Sequence, residues 1–285
     1  MLGLDDLEIG RIVRAGTDLA QDLRLAKKLE IRTGHIAFPG ELNIHGPAEI
    51  DAALTQQQFT AAAAIVWFKG EDDASVLLTA KTAGLFPSAT RAERIARVKE
   101  VSEVARELAI DTLICAVGVF PPDINQPAYE VAQETLLELS RFCHRNGQSL
   151  AIEAGTEPPK VLLRLIEDVH HPSLRINFNP GKMIRYGTGN PVEALDVFGK
   201  HVIAVSCSDG DWPLMERPDE LGERRTLGEG KVEWAAVIPK LKAIAYRGPL
   251  TIQANEEQQI KKAAGFLREL TRKPAAKAEE ARTTG

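Results

Sequence analysis

Cysteine is scarce in this chain, and its spacing excludes the metal sites and disulfide frameworks that depend on it. Cys115, Cys143 and Cys207 are the 3 cysteines in 285 residues. An odd, widely spaced set without a CxxC pair is typical of free thiols in a reducing compartment. We therefore expect buried, unreactive cysteines in a cytoplasmic protein that has no structural zinc site.

Long apolar runs and an excess of basic residues are also missing. No apolar stretch reaches the roughly 18 residues that a membrane helix needs, and the N-terminus lacks the basic and apolar regions of a signal peptide. The chain has 35 basic and 40 acidic residues, which gives a net charge of −5. Since a mildly acidic chain suits a phosphate backbone poorly, we expect neither a membrane nor a nucleic acid as partner.

What the sequence does contain is a regular alternation of short apolar runs with amphipathic stretches, and 44% of its residues are hydrophobic. Near-continuous apolar runs are typical of parallel strands that are covered on both faces. The intervening stretches have the periodicity and end signals of helices, least clearly at 48–59. The predicted strands are 9–13, 34–38, 62–68, 112–119, 149–154, 175–179, 202–207 and 249–254.

This alternation predicts a single closed (β/α)8 barrel, a TIM barrel, over residues 1–271. The alternative is an open doubly wound sheet, which normally has a glycine-rich phosphate turn after its first strand. The first strand here continues into "RAGTDLA" without GxGxxG, which favours the closed barrel. The long connections 69–88 and 208–231 are candidates for site loops, and the polar tail 272–285 is predicted to be disordered.

Polar side chains at the ends of the predicted strands are the candidate site residues, because the chemistry of such barrels lies at those ends. Glu153 stands out within the apolar strand "LAIEAG", where a carboxylate needs a metal, a cation or several donors. The alternative is that backbone donors alone satisfy it. The other candidates are His35, Lys69, Asn179, Lys182, Arg185, Ser206, Asp209 and Gln253.

Three of these candidates have a simple structural alternative. His35 either faces the pocket or is a satisfied histidine of the core. Lys69 and Arg185 either bind the anionic group of a sugar phosphate or sugar acid, or extend into solvent.

Five segments of the chain are distinctive in their order and spacing: "FPSATRAERIARVKEVSEVARELAIDT", "NGQSLAIEAGTE", "NFNPGKMIRYGTGNPVEAL", "LGEGKVEW" and "YRGPLTIQ". Together they resemble the xylose-isomerase-like barrel superfamily, specifically its sugar phosphate isomerase/epimerase group. The resemblance extends from about residue 9 to residue 270. It implies a TIM barrel that takes a sugar or sugar phosphate, and a homodimer or a partner subunit.

The resemblance also implies a divalent metal, often manganese, held by a Glu, an Asp, a His and a Glu on strands five to eight. At the matching positions this chain has Glu153, Asn179, Ser206 and Gln253. Only one of these side chains is anionic, whereas hard divalent cations are held by charged oxygens. We therefore predict vestigial ligand positions and no cofactor, with weak binding of manganese or magnesium as the alternative.

Lys182 stands where relatives carry Asn or His, and it could replace the charge of the missing ion. An ammonium beside Glu153 would form a neutral pair with it; the alternative is a lysine that extends into solvent.

Three functions remain open. The resemblance implies a sugar isomerase or epimerase that abstracts a proton next to a carbonyl. The second is a catalytically inactive carbohydrate-binding, regulatory or partner subunit. The third is a metal-independent lyase, epimerase or hydrolase that uses Glu153 with Lys182 or Asp209.

Overall fold

The structure is a computed structural model, and it describes residues 7–40, 46–120, 123–217 and 219–272. The predicted tail beyond Arg272 lies outside the described residues. The strands are β1 (Ile9–Arg14), β2 (Thr33–Phe38), β3 (Thr60–Val66), β4 (Thr112–Cys115), β5 (Ser149–Glu153), β6 (Leu174–Phe178), β7 (Val202–Cys207), β8 (Asp209–Gly210), β9 (Arg224–Arg225) and β10 (Leu250–Ile252). Eight parallel strands close into a barrel in the order β1-β10-β7-β6-β5-β4-β3-β2, so the predicted TIM barrel is confirmed.

Helices cover the outside of the barrel, and the weakest predicted helix is present as α2. They are α1 (Leu19–Lys28), α2 (Pro47–Gln57), α3 (Val76–Thr82), α4 (Arg91–Glu107), α5 (Pro127–Arg145), α6 (Pro159–Val169), α7 (Pro180–Tyr186), α8 (Pro191–Phe198), α9 (Trp234–Ala243) and α10 (Glu257–Arg272). No helix in the described ranges is both long and apolar enough to cross a membrane.

Two apolar clusters hold the barrel together, because successive side chains of a strand point to opposite faces. On β6, Leu174, Ile176 and Phe178 pack outward against the helices, which leaves the residues between them facing the barrel axis. The interior cluster is smaller, and it includes Ile65 and Ile114. The same alternation carries polar residues to the inner wall above this cluster, where the strands end. The three cysteines are free and buried, as predicted.

The two long connections contain structure that the sequence pattern did not predict. The first includes α3, and the second folds into the antiparallel pair β8–β9. The segment after β6 is also a helix and not a simple turn. Pro180 ends the strand because it has no N–H, and the same residue suits the first position of α7.

Candidate functional site

A cavity of about 630 Å³ opens at the carboxyl ends of β3 to β7 and β10. Its floor contains Ile65 and Ile114, and both polar and apolar side chains form its walls. It brings together most of the residues that the sequence marked as candidates. Those that line it are Lys69, Glu153, Asn179, Lys182, Arg185, Ser206 and Gln253.

Glu153 and Lys182 form an ion pair in the wall of this cavity. Lys182 lies in the first turn of α7 and places its Nζ 2.7 Å from Oε2 of Glu153. The two side chains are 18% and 15% exposed, so the pair is largely withdrawn from water while still reachable from the cavity. Of the two alternatives for Lys182, the structure therefore shows the ion pair and not a solvated lysine.

The ion pair reverses the effect that burial alone would have on the pKa of each residue. Burial raises the pKa of Glu153, but the Lys182 ammonium and hydrogen bonds from Lys182 and Asn179 outweigh it, so the pKa lies below its ordinary value. Burial lowers the pKa of Lys182, but the charge of Glu153 outweighs that effect and the pKa is raised. Both groups are therefore charged at neutral pH, which makes Glu153 a weak base.

Asn179 connects the neighbouring strand ends through every polar atom of its side chain. Its Nδ2 donates to Oε1 of Glu153 at 2.9 Å and to Oε1 of Gln253 at 3.2 Å. Its Oδ1 accepts from the backbone N–H of Lys182 at 3.1 Å and from Oγ of Ser208 at 2.6 Å. An aspartate here would face the Glu153 carboxylate with no proton to donate, so the amide suits an ion-free network.

Two glycines make room for this arrangement. Gly155 has φ +145°, and a Cβ there would lie 2.5 Å from Cγ of Lys182. A Cβ on Gly181 would lie 2.3 Å from the carbonyl carbon of Ser208. Both positions need glycine because the start of α7 packs directly on β5 and β7.

Ser206 lies one layer deeper than the residues around Asn179. It exchanges hydrogen bonds with Asn177, the shorter of them 3.0 Å long. The residue that contacts Asn179 is instead Ser208, two positions further along the chain and directly after the end of β7. The resemblance assigned a ligand position to Ser206, whereas the structure places Ser208 in the network. The two-residue repeat of the strand puts both on the inner face, so sequence could not choose between them.

Arg185 belongs to a wall that joins two loops across the cavity. It is buried, donates from Nε to the Gly222 carbonyl at 3.0 Å, and lies 3.8 Å from the Asp73 carboxylate. Asp73 also pairs with Arg224 of β9. These contacts tie the loop after β3 to the β8–β9 hairpin. Lys69 lies on the same side and is exposed. Arg224 was missed by the sequence because nothing local marks a residue of a long loop as part of the site.

Asp209 is a buried anchor of the loop that follows β7. Its carboxylate accepts hydrogen bonds from the backbone N–H groups of Gly210, Gly228 and Val232, at 2.9, 2.9 and 3.1 Å. Trp234 Nε1 donates to it at 3.1 Å. These contacts satisfy the carboxylate within the protein and give Asp209 a structural role. Asp209 also lines a second cavity at the barrel mouth, so its contact with substrate stays a prediction.

His35 is also placed differently from the prediction. It is 1% exposed and lines neither the cavity described above nor the one beside it. It shares the inner face of β2 with Ala37, one layer further from the mouth. Burial lowers its pKa to about 3, so the ring is neutral. The structure thus places His35 in the core, although Nδ1 of its ring has no hydrogen-bond partner among the described residues.

The donor set at the strand ends is poor in the groups that hold a divalent ion. Within the ranges that the structure describes, no cluster of three or more His, Cys, Asp or Glu side chains is placed to bind a metal. Glu153 is the anion of the network, and Lys182 already neutralises it. Amide and hydroxyl groups provide the remaining contacts, through Asn179, Ser208 and Gln253. Such groups suit hydroxylated ligands better than hard cations.

Comparison with known proteins agrees with this architecture. The family model described as "Xylose isomerase-like TIM barrel" matches residues 23–270. The structure superposes on a xylose isomerase domain protein from Planctomyces limnophilus with TM-score 0.85 and 30% identity, over 93% of this chain and 96% of that one. It superposes on 3-keto-D-glucoside 4-epimerase from E. coli with TM-score 0.67 and 14% identity, over 92% and 98% of the chains.

The chain is 25% identical over 185 residues to the uncharacterized protein MJ1311 of Methanocaldococcus jannaschii. The match covers 60% of this chain and 60% of the relative's length.

Proposed function

The chain belongs to the xylose isomerase-like TIM barrel family, and we propose that it binds a carbohydrate at the barrel mouth without a divalent ion. The observation that carries the proposal is the ion pair between Lys182 and Glu153, with Nζ and Oε2 2.7 Å apart. The ammonium supplies the positive charge that a metal supplies in relatives of the kind implied by the resemblance.

The surroundings of the pair favour binding over the isomerase chemistry of the family. Proton transfer next to a carbonyl needs a base near its working pH. Lys182 lowers the pKa of Glu153, and the amide of Gln253 cannot take up a proton. The polar groups that remain are donors and acceptors of the kind that hold sugar hydroxyls, placed above an apolar floor.

The metal-free part of this proposal is tested by adding and removing ions. We expect that Mn²⁺ or Mg²⁺ at micromolar concentration leaves the Tm of the protein unchanged, and that EDTA leaves its sugar affinity unchanged. A matched variant restores the missing anions: Asn179→Asp, Gln253→Glu and Lys182→Asn together. Mn²⁺ should raise the Tm of this variant. A rise in the Tm of the unmodified protein would contradict the proposal.

The carbohydrate part is tested by calorimetric titration with a panel of monosaccharides. Binding should weaken at least about tenfold in Lys182→Met, which removes the ammonium from the cavity wall. The variant Lys81→Met, on the exposed face of α3, is the control and should bind as the unmodified protein does. Absence of binding by every sugar tested would contradict a carbohydrate site.

The raised pKa of Lys182 favours a second candidate function, a metal-independent epimerase or lyase. A lysine that stays protonated can stabilise the negative charge of an enediolate, as an ion does in metal-dependent enzymes. Glu153 would then take the proton once the ligand draws the ammonium away from it. Exchange of a ligand C–H for deuterium from solvent, followed by NMR, tests this function. Glu153→Gln should abolish the exchange, and an unchanged rate in that variant would eliminate the candidate.

A further inference from the structure

A second cavity, of about 660 Å³, lies beside the first at the barrel mouth. It opens over the ends of β1, β7 and β10 and over the start of α10. Trp67, Ser208, Arg224 and Gln253 line both cavities, so one shared wall separates them. The second cavity holds none of the residues assigned to the ion pair.

Trp67 is the part of this wall that comes from the opposite side of the barrel. It follows β3, whereas β2 and β1 separate β3 from β10 in the closed sheet. Since Trp67 nevertheless lines both cavities, its side chain lies where the two meet. The indole is half-buried and packs on the interior cluster, so its position is supported from below. A supported aromatic face is a surface on which the C–H face of a sugar ring can pack.

The volume of the mouth exceeds what one sugar ring fills. Each cavity alone lies within the range of about 300–1,000 Å³ that is typical of pockets for drug-sized ligands. A hexose has only about a dozen non-hydrogen atoms and would leave most of the two cavities to solvent, with little of its surface in contact with the wall.

The charges of the second cavity are largely paired with one another. Arg14 is held by Asp22 at 2.8 Å and Asp18 at 3.1 Å. Arg225 is held by Asp211 at 2.6 Å. A cavity whose cations already have carboxylate partners favours a neutral, hydroxylated unit over a phosphate group. Asn255 and Gln259 add amide groups to its rim.

We propose that the barrel mouth binds a two-unit carbohydrate, a disaccharide or glycoside, with one unit in each cavity and Trp67 between them. This inference rests on the proposed function, since it assigns the first unit to the cavity of the ion pair. It adds the class of the ligand and a second subsite formed by β1, β10 and α10.

The test is calorimetric titration with cellobiose, maltose, lactose, sucrose and trehalose, each compared with its constituent monosaccharides. At least one disaccharide should bind about tenfold or more tightly than its own monosaccharides. Gln259→Ala should weaken the binding of that disaccharide about fivefold and leave monosaccharide affinity unchanged. The adjacent exposed Gln258, which lines neither cavity, provides the control variant Gln258→Ala.

Fluorescence identifies the position of the ligand independently. The chain has 3 tryptophans, of which Trp234 is buried and Trp212 lies outside both cavities. A disaccharide should change the emission of the unmodified protein and of Trp212→Phe, but not that of Trp67→Phe.

The outcomes separate the two proposals. Equal affinities for disaccharides and monosaccharides, or equal effects of the Gln259 and Gln258 variants, overturn the second subsite and leave the carbohydrate site standing. If no sugar of either kind binds, the proposed function fails and the second subsite fails with it.

Discussion

Asp209 and Glu153 are both withdrawn from solvent at the carboxyl ends of barrel strands, yet their surroundings differ. Asp209 is surrounded by backbone N–H groups of the connection after β7 and by the indole N–H of Trp234, the first residue of α9. Glu153 is held by side chains of other elements, Lys182 and Asn179. Each carboxylate lines a cavity, Glu153 the first and Asp209 the second. A carboxylate in a strand end is therefore not by itself a sign of function. The origin of its donors distinguishes an anchor from a site.

The largest effect that this comparison predicts is on stability, from Asp209→Ala. The substitution leaves several buried N–H donors without an acceptor and should lower the free energy of unfolding by about 3 kcal/mol or more. Urea unfolding measures it. Asp51→Ala, at an exposed position of α2, is the control and should change little. A loss below about 1 kcal/mol would show that the loop does not depend on this anchor.

Glu157 is a third carboxylate, and within the described part of the chain it has no charged partner at hydrogen-bond distance. Phe120 N donates to it at 3.2 Å and Thr156 Oγ1 at 2.6 Å. Burial raises its pKa from 4.5 to about 7, so the folded state binds this proton more tightly than the unfolded state. Its contribution to stability is therefore complete below pH 4.5 and is lost as the pH rises to about 7.

Glu157→Gln should remove that dependence, because the amide is neutral at every pH. As the pH rises from acidic to alkaline, the free energy of unfolding of the variant should increase by up to about 3 kcal/mol relative to that of the unmodified protein. Urea unfolding at about pH 5 and pH 8 measures this change. Glu130→Gln, exposed on α5, is the control. A difference that does not vary with pH would mean that Glu157 titrates normally.

The ion pair should show the smallest effect of the three, because both partners keep some contact with water. Lys182→Met leaves Glu153 without its counterion and should cost about 2 kcal/mol of unfolding free energy. Adding Glu153→Gln should recover most of this loss, which a double-mutant cycle measures. If the two substitutions are additive, the pair is not coupled and its role in the site is wrong.

Some of the site was readable from the sequence because it depends on short spacing. Glu153 is visible as one carboxylate in an apolar strand, and Asn179, Pro180 and Gly181 mark the end of another. The resemblance to a barrel family then brings Glu153, Asn179 and Gln253 together. What the sequence could not show is which donor each group meets, since that depends on contacts such as Asn179 to Gln253 between residues far apart in the chain.

By itself, the sequence determined the order and type of the elements. Apolar runs and amphipathic periodicity are local properties, and right-handed crossovers leave few ways to close eight such units.

Only the tertiary structure decided the depth and direction of each side chain. It put His35 below the mouth, Ser208 in the network above Ser206, and Trp67 at the boundary of the two cavities. The physical reason is that a strand presents every second residue to the same face. The sequence pattern therefore shows which face a side chain is on, but not how far it lies from the barrel mouth. The register and closure of all eight strands together set that distance.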